Sequence, residues 1–333
     1  MNGVNRQRGI SLVEVMIALV ISLFLLAGIF QVYIGNKATF AFTNALAEVQ
    51  ENGRYALDLM AQDLRMVSEW GCIEMNPADT SNINNTLSAA TVPGYDPLFH
   101  DFTGEEGIEG SNNTGLNGSD TLTVRGGRTS QANVESPFFA LTSNQLTTNA
   151  INSIGVDDIV LVARCGANDL LINEEADIFR VTATLPTNGN TQRLLTFSAT
   201  KSQQYENDAM VVELQTVNYF IAAGASGEPS LFRREFNNAP QELIEGVEDL
   251  QVLYGVDTDN DKYPNQYQAA DAVVDFHDVV AVRVMLLVRS IDDNVTDTPQ
   301  TYTFNGATVT ANDRRLRQVF SSTVALRNRI GSS

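Results

Sequence analysis

Arg8-Gly9-Ile10-Ser11-Leu12-Val13-Glu14 sets a basic leader, a small residue and a single carboxylate at the head of an apolar run reaching Phe30. A secretory signal carries its small-residue cleavage site after the apolar core; here the glycine stands before it. Cutting the Gly9–Ile10 bond would leave the whole apolar run on the mature chain and create an ammonium group on Ile10. Glu14 is then the acid within reach, and apolar surroundings strengthen the attraction of opposite charges. A carboxylate in a membrane helix costs about 2.5–3.5 kcal/mol on insertion scales, so such residues are functional by default. The alternative is that Glu14, one turn from the cleaved end, snorkels to the headgroups.

A second group of residues could bind a cation. Asp257-Thr258-Asp259-Asn260-Asp261 places carboxylates at alternate positions after a strand, a spacing at which oxygen ligands can wrap calcium, as in the first half of an EF-hand loop. Lys262 stands where that loop has glycine, and Gln268 where it has a bidentate glutamate. Asp271 or backbone carbonyls would have to complete the shell, and an acidic, solvated turn explains the same residues. Catalysis finds no comparable grouping. His100 and His277 are far apart and near no cysteine pair, which supports neither a zinc site nor a Ser/His/Asp arrangement. No Gly-x-Ser-x-Gly or phosphate-loop motif is present, and enzymatic activity is not expected.

These residues need elements to hold them. From Ile10 to Phe30 the polar side chains are Ser11, Glu14 and Ser22, and roughly 20 apolar residues cross a bilayer core of ~30 Å. Arg6 and Arg8 precede the run and the next basic residue is Lys37, so the positive-inside bias keeps the leader cytoplasmic. No proline occurs before Pro77, and Phe42, Leu46, Val49, Ala56, Met60 and Leu64 recur at helical spacing among charged residues. The second part of the helix should therefore lay one face on a globular domain. From Ile10 to about Ser68 the helix would be about 90 Å long. Gly28, Gly35 and Gly53 are its weak points. The chain divides into a leader (1–9), a membrane and assembly helix (10–36), its amphipathic continuation (37–70) and a β-rich domain (71–333).

Within that domain, Asn76 to Gly118 is rich in Asn, Gly, Ser and Thr and reads as a long, exposed, irregular loop. β-prone runs follow at 120–125, 157–163, 179–183, 193–197, 210–221, 231–234, 247–254, 279–288 and 317–326. Val279 to Val288 is too branched and apolar for an exposed strand and belongs in a sheet centre. Gln241 to Glu245 suggests a short helical turn. The expected class is α+β, a long N-terminal helix on antiparallel sheets. The formal charge is −19 and the basic residues are scattered, which argues against nucleic-acid binding. Cys72 and Cys165 both fall on the exported side, where a disulfide is the natural reading and two buried thiols the alternative.

The leader resembles the type IV prepilin signal of pilins and type II secretion pseudopilins. That resemblance implies cleavage after Gly9 by prepilin peptidase, methylation of Ile10, and a Glu14 that meets the N-terminal amine of a neighbouring subunit. Ile10 replaces the usual phenylalanine, which weakens the methylation inference more than the cleavage inference. Asn52-Gly53-Arg54-Tyr55-Ala56-Leu57-Asp58, Asp63-Leu64-Arg65, Gly71-Cys72, Gly118 to Arg125, Leu161 to Cys165 and Gln241 to Gly255 narrow the resemblance to the PilW type of minor pilin. The resemblance implies a pilin-like fold and a role in pilus initiation at or near the tip, supporting adhesion and twitching motility. Its implied partners are other minor pilins, the major pilin, a tip adhesin, prepilin peptidase, the inner-membrane assembly platform and, before assembly, lipid. Related loops suggest calcium at Asp257, Asp259 and Asp261. A J-type pseudopilin of type II secretion shares the signal and helix and is the alternative.

Overall fold

The computed structural model describes residues 11–72, 83–102, 107–149, 153–165, 176–236 and 238–329. The leader and the Gly9–Ile10 pair lie outside the described residues, as do parts of the 76–118 segment. Leu12–Arg65 forms one helix, α1, of 54 residues, about 80 Å long at ~1.5 Å per residue. It runs through Gly28 and Gly35 without a break, and nothing approaches either glycine within 4 Å. Residues 11 to 44 are all exposed. Burial begins at Ala45 and continues through Val49, Gly53, Ala56, Met60, Ala61 and Leu64, the three-four spacing of a stripe facing a core. Phe42, expected on that stripe, is 39% exposed because it sits one turn before the domain begins.

The domain consists of two large sheets and a hairpin. The larger sheet contains β1 (Ile83–Asn85), β2 (Ile108–Ser111), β3 (Thr121–Asn133), β4 (Gln145–Asn149), β5 (Ile159–Arg164), β6 (Ala176–Thr187), β7 (Gln192–Phe197), β8 (Ala209–Ala223), β9 (Pro229–Glu235) and β10 (Gln241–Glu245). Its main order is β10-β9-β8-β5-β6-β7-β4, with β3 on the other side of β8 carrying β2, and β1 beside β6. The smaller sheet has the order β12-β11-β13-β16, from β11 (Val247–Val256), β12 (Gln266–Gln268), β13 (Val279–Arg289) and β16 (Arg317–Ala325). β14 (Thr301–Phe304) and β15 (Ala307–Thr310) form the hairpin. All pairings are antiparallel except β1 with β6. β13 lies inside its sheet, and Val282, Val284, Leu286 and Val288 join the core cluster that also holds Val49, Met60 and Leu64 of α1.

Gln241–Glu245 is a strand and not a helical turn. Its residues are good helix formers, but pairing with Ser230 to Arg233 overrides that weak preference. Gly246 ends the strand at φ +85°, where a Cβ would stand 2.6 Å from the Arg289 carbonyl, and the chain passes there from the larger sheet to the smaller. An ion-pair cluster joins the two sheets beside this crossing. Arg289 and Arg315 hold Glu228, while Arg317 holds Glu248 at 2.7 Å and Asp313 at 2.5 Å. The Arg317 hydrogen bonds draw the Asp313 carboxyl down to about 2.

The 76–118 segment is not an open loop over its described part. It supplies β1, β2 and a short helix, α2 (Pro97–His100), and buries Leu87, Val92, Phe99, His100, Phe102 and Ile108. Isolated apolar residues without period gave no sign of this; they plug gaps left by longer elements. Arg234 fastens α2, pairing with Asp96 at 3.3 Å and lying over the Phe99 ring at 4.4 Å. His100 stacks on Tyr95 and receives the Asp96 backbone N–H at Nδ1, 3.1 Å away. Burial pushes its pKa below the ordinary 6.5, outweighing the Asp96 contributions.

Two outcomes are expected. Gly53→Ala gains about 1 kcal/mol of helix propensity, yet its Cβ would stand 2.4 Å from the Phe320 ring, and overpacking costs about 1–3 kcal/mol. Thermal unfolding should show a net loss of about 1 kcal/mol that Phe320→Ala relieves. His100 stays neutral in the folded chain below the pH at which it protonates in the unfolded chain. Its contribution is therefore complete above pH 6.5 and falls as the pH drops below that value. Asp249, raised to about 6 by burial, acts in the opposite sense but is common to both proteins. The stability difference between wild type and His100→Gln should therefore shrink from pH 7.5 to pH 5.

Candidate functional site

The exposed half of α1 carries the first group of sequence-selected residues. Glu14 is three positions after the N-cap Ser11, the spacing of a capping box, but Ser11 makes no side-chain cap bond. Among the described residues Glu14 has no ion pair or side-chain hydrogen bond. Glu14, Val15, Ala18, Leu19 and Ser22 border one shallow groove along the helix. Ser22 donates its hydroxyl to the Ala18 carbonyl at 2.7 Å, so its polar atom is satisfied within the helix. Small residues at this spacing let another helix approach closely. A carboxylate is thus presented beside a surface shaped for an apolar neighbour. The helix is long and apolar enough to cross a membrane.

The rest of the molecule fixes that helix to the domain. Asp63, at the end of the buried stripe, accepts from Tyr219 Oη at 2.6 Å and Arg233 Nε at 3.0 Å. Burial, followed by the Asp63 carboxylate, pushes the Tyr219 hydroxyl far up. Burial opposes the Arg233 charge, but Asp63 outweighs it and raises the guanidinium pKa. Arg233 also pairs with Glu235. Cys72 and Cys165 form a disulfide, Cα to Cα 5.6 Å, across 93 residues. It ties the chain just beyond α1 to the end of β5. The chain-entropy model assigns about 4–5 kcal/mol to a loop of this size. Sequence reading gave Asp63 only a place on the polar face; its partners are far away in the chain and no local signal marks them.

A cavity of about 500 Å³ opens beneath the end of α1, lined by Asp63, Met66, Arg128, Glu213 and Gln215 among others. Arg128 is held there by Glu213 at 3.3 Å, Glu235 at 3.0 Å and Gln215 at 3.0 Å. Burial, then Asp158, raises the Glu213 carboxyl despite Arg128. Arg128, Glu213, Glu235 and Gln215 thus satisfy one another. His277 pairs with Asp275 at 2.8 Å, and among the described residues no serine, threonine or cysteine bonds to it. His100 is buried in α2. Among the described residues neither histidine bonds to a nucleophile.

The acidic loop brings Asp257, Asp259 and Asp261 together, with one carboxylate oxygen from each within 4.8 Å of the others. Asp257 already has a structural task. Its carboxylate accepts the backbone N–H of Asp259 at 3.1 Å, Asn260 at 2.8 Å and Lys262 at 2.7 Å. Burial works to raise this carboxyl, but those three donors hold it below the usual range. Asn260 and Lys262 turn through positive φ around it. Asp259 and Asp261 stay exposed. One oxygen from each of the three carboxylates falls short of the six to eight ligands that calcium takes.

Two family models match this chain. Residues 218–328 match "Type IV Pilus-assembly protein W", and residues 4–30 match "Prokaryotic N-terminal methylation motif". One covers the apolar head of α1 with part of its leader; the other covers the last six residues of β8 and all of β9 to β16. Together they cover less than half of the chain; they show its similarity to a pilus-assembly protein over the C-terminal part of the domain and to the methylation motif at the head of α1. No curated protein matches the sequence. Among solved structures, a type IV-like pilin from Thermus thermophilus is similar at 15% identity, over 52% of this chain and 86% of that one, with a TM-score of 0.23. The α+β assignment stands on the helix and sheets described above.

The turn and any cation can be separated by experiment. Asp257→Ala should lower the thermal midpoint of the full chain in EDTA, because three N–H groups lose their acceptor. Asp259→Asn and Asp261→Asn should leave that midpoint unchanged in EDTA. A rise on adding calcium that Asp261→Asn abolishes would mark a bound ion; identical curves with and without calcium would leave the loop as a turn.

Proposed function

We propose that this protein is a non-enzymatic minor pilin that takes part in initiating and assembling type IV pili, at the filament tip, and so supports adhesion and motility. It is held in the inner membrane with its leader cytoplasmic until prepilin peptidase cuts after Gly9. The Ile10–Phe30 segment then packs laterally among the helices of other minor pilins and the major pilin on the assembly platform. The domain stays outside, where a tip adhesin is the further partner. The observation that carries this reading is an apolar helix exposed from Leu12 to Asn44, with a Glu14 that has no partner among the described residues beside Ala18 and Ser22. Leaving the membrane, it needs a partner for each part of that surface. The Ile10 amine of a neighbour offers Glu14 a charge-assisted bond in a medium that strengthens it.

The proposal includes calcium held through Asp257, Asp259 and Asp261, supported by the closeness of their oxygens. The ion would add rigidity to a turn that Asp257 already organises.

A clean deletion should abolish nearly all major pilin sheared from the cell surface, and complementation should restore it. Glu14→Ala should reach the membrane at the wild-type level and be missing from the sheared filaments. Unchanged surface pili in the deletion strain would reject the priming role and favour a type II secretion pseudopilin.

A further inference from the structure

A sheet edge offers a row of N–H and C=O groups to any extended chain, and folded proteins guard such edges with charge, proline, bulges or brevity. Here β10 is five residues long, carries Glu242 and Glu245, and is irregular between Glu242 and Ile244. β12 has three residues. β4 has five and is bridged at Thr148 by Val134. β16 differs from all of these. Its nine residues pair with β13 in unbroken register from Ala281–Ala325 to Arg289–Arg317. From Gln318 to Ala325 it has neither a charged residue nor a proline.

The register decides which groups are open. Leu326 donates its N–H to the Val280 carbonyl, and Ser290 donates to Leu316. The even-numbered residues of β16 therefore bond to β13, and the odd-numbered ones turn their backbone groups outward. Arg317 is already met by the Gln300 amide, which accepts from its N–H and donates to its C=O, both at 2.8 Å. Gln300 thus imitates a strand at one end of the edge. Val319, Ser321, Thr323 and Ala325 are exposed, and their backbone groups have no partner among the described residues. Groups repeating every second residue, ~6.8 Å apart, are matched by another extended backbone.

The position of this edge indicates what covers it. Phe320 packs over Gly53, so the edge runs beside α1, whose exposed half is the surface left for neighbouring subunits. A second copy aligned antiparallel about Ser321 would set Arg315 of each chain directly opposite Arg327 of the other, like charge against like, and only Asp313 opposite Arg329 would offset it. We propose that the outer edge of β16, from Val319 to Ala325, is extended in the filament by a β-strand from a neighbouring pilin subunit of different sequence. This rests on the pilin reading above.

Proline scanning in the full chain tests it. The Ser321 N–H points outward, so Ser321→Pro removes no bond to β13 and is tolerated on an edge; Ser321→Lys guards the same edge by charge. Ser322→Pro, which breaks the ladder, is the folding control. Both Ser321 variants should keep the wild-type membrane level and the Cys72–Cys165 disulfide, read by thiol labelling. Their amount in sheared pili should fall about tenfold, equivalent to ~1.4 kcal/mol of lost pairing. A photocrosslinker at Val319 should attach to another pilin subunit. Wild-type recovery of Ser321→Pro and Ser321→Lys in pili would overturn the proposal, and an adduct between two copies of this chain would overturn the choice of partner. Absence of the wild-type chain from pili is a separate result: it would sink the filament reading and the edge proposal with it.

Discussion

The structure depends on the seating of one half of a single helix. Val49, Ala56, Met60 and Leu64 enter a core built from β3, β8, β9, β11, β13 and β16, so the helix closes a space to which both sheets contribute. Burying each large apolar side chain there gains about 1.5–3 kcal/mol. The fit at Gly53 brings the Phe320 ring close to the helix backbone. Asp63 then locks the last turns through Tyr219 and Arg233. The disulfide from Cys72 to Cys165 holds the chain that leaves the helix. Hydrophobic burial supplies the attraction, while the hydrogen-bonded trio and the covalent tie fix its register.

That seating explains the division of labour along α1. The domain end is held from several directions, and at the other end every residue from 11 to 44 is exposed. An exposed apolar rod of this kind cannot remain in water, because its surface far exceeds the patches that soluble chains tolerate. It must lie in lipid or against other helices. Glu14 is compatible with the first only at a cost and with the second only if a cation meets it. The same logic applies more weakly to β16, whose open backbone groups lie next to the seated half.

The two sheets are joined where Gly246 lets the chain pass between them and where Arg289, Arg315 and Arg317 gather Glu228, Glu248 and Asp313. Several of these side chains are largely buried. Removing one partner from such a cluster leaves the other charge uncompensated, which costs more than the pair contributes. The cluster uses three of the 21 lysines and arginines of a strongly acidic chain. The remaining acids lie largely on the surface, as in the Asp257 loop, where one carboxylate organises the turn and two face solvent.

Much of this was legible before any fold was known, wherever the signal is local or periodic. The membrane run, the helical stripe, the long strands and the apolar β13 all follow from residue spacing, because burial on one face imposes a period of 3.6 or 2. The same spacing placed Phe42 inside the contact, and only the position of the domain edge shows that it falls short. Gln241–Glu245 was misread because pairing with β9 outweighs a helix preference of a few tenths of a kcal/mol per residue. The segment before Gly118 looked open because Phe99, His100 and Ile108 are buried one at a time, without period. The sequence by itself determined the anchored helix, the β-rich domain, the cysteine pair and the Glu14 position. The tertiary structure alone decided that Asp63 pairs with Tyr219 and Arg233, that Gly53 makes room for Phe320, and that β16 is an edge. Those are contacts between residues far apart in the chain, which only the packed fold brings together.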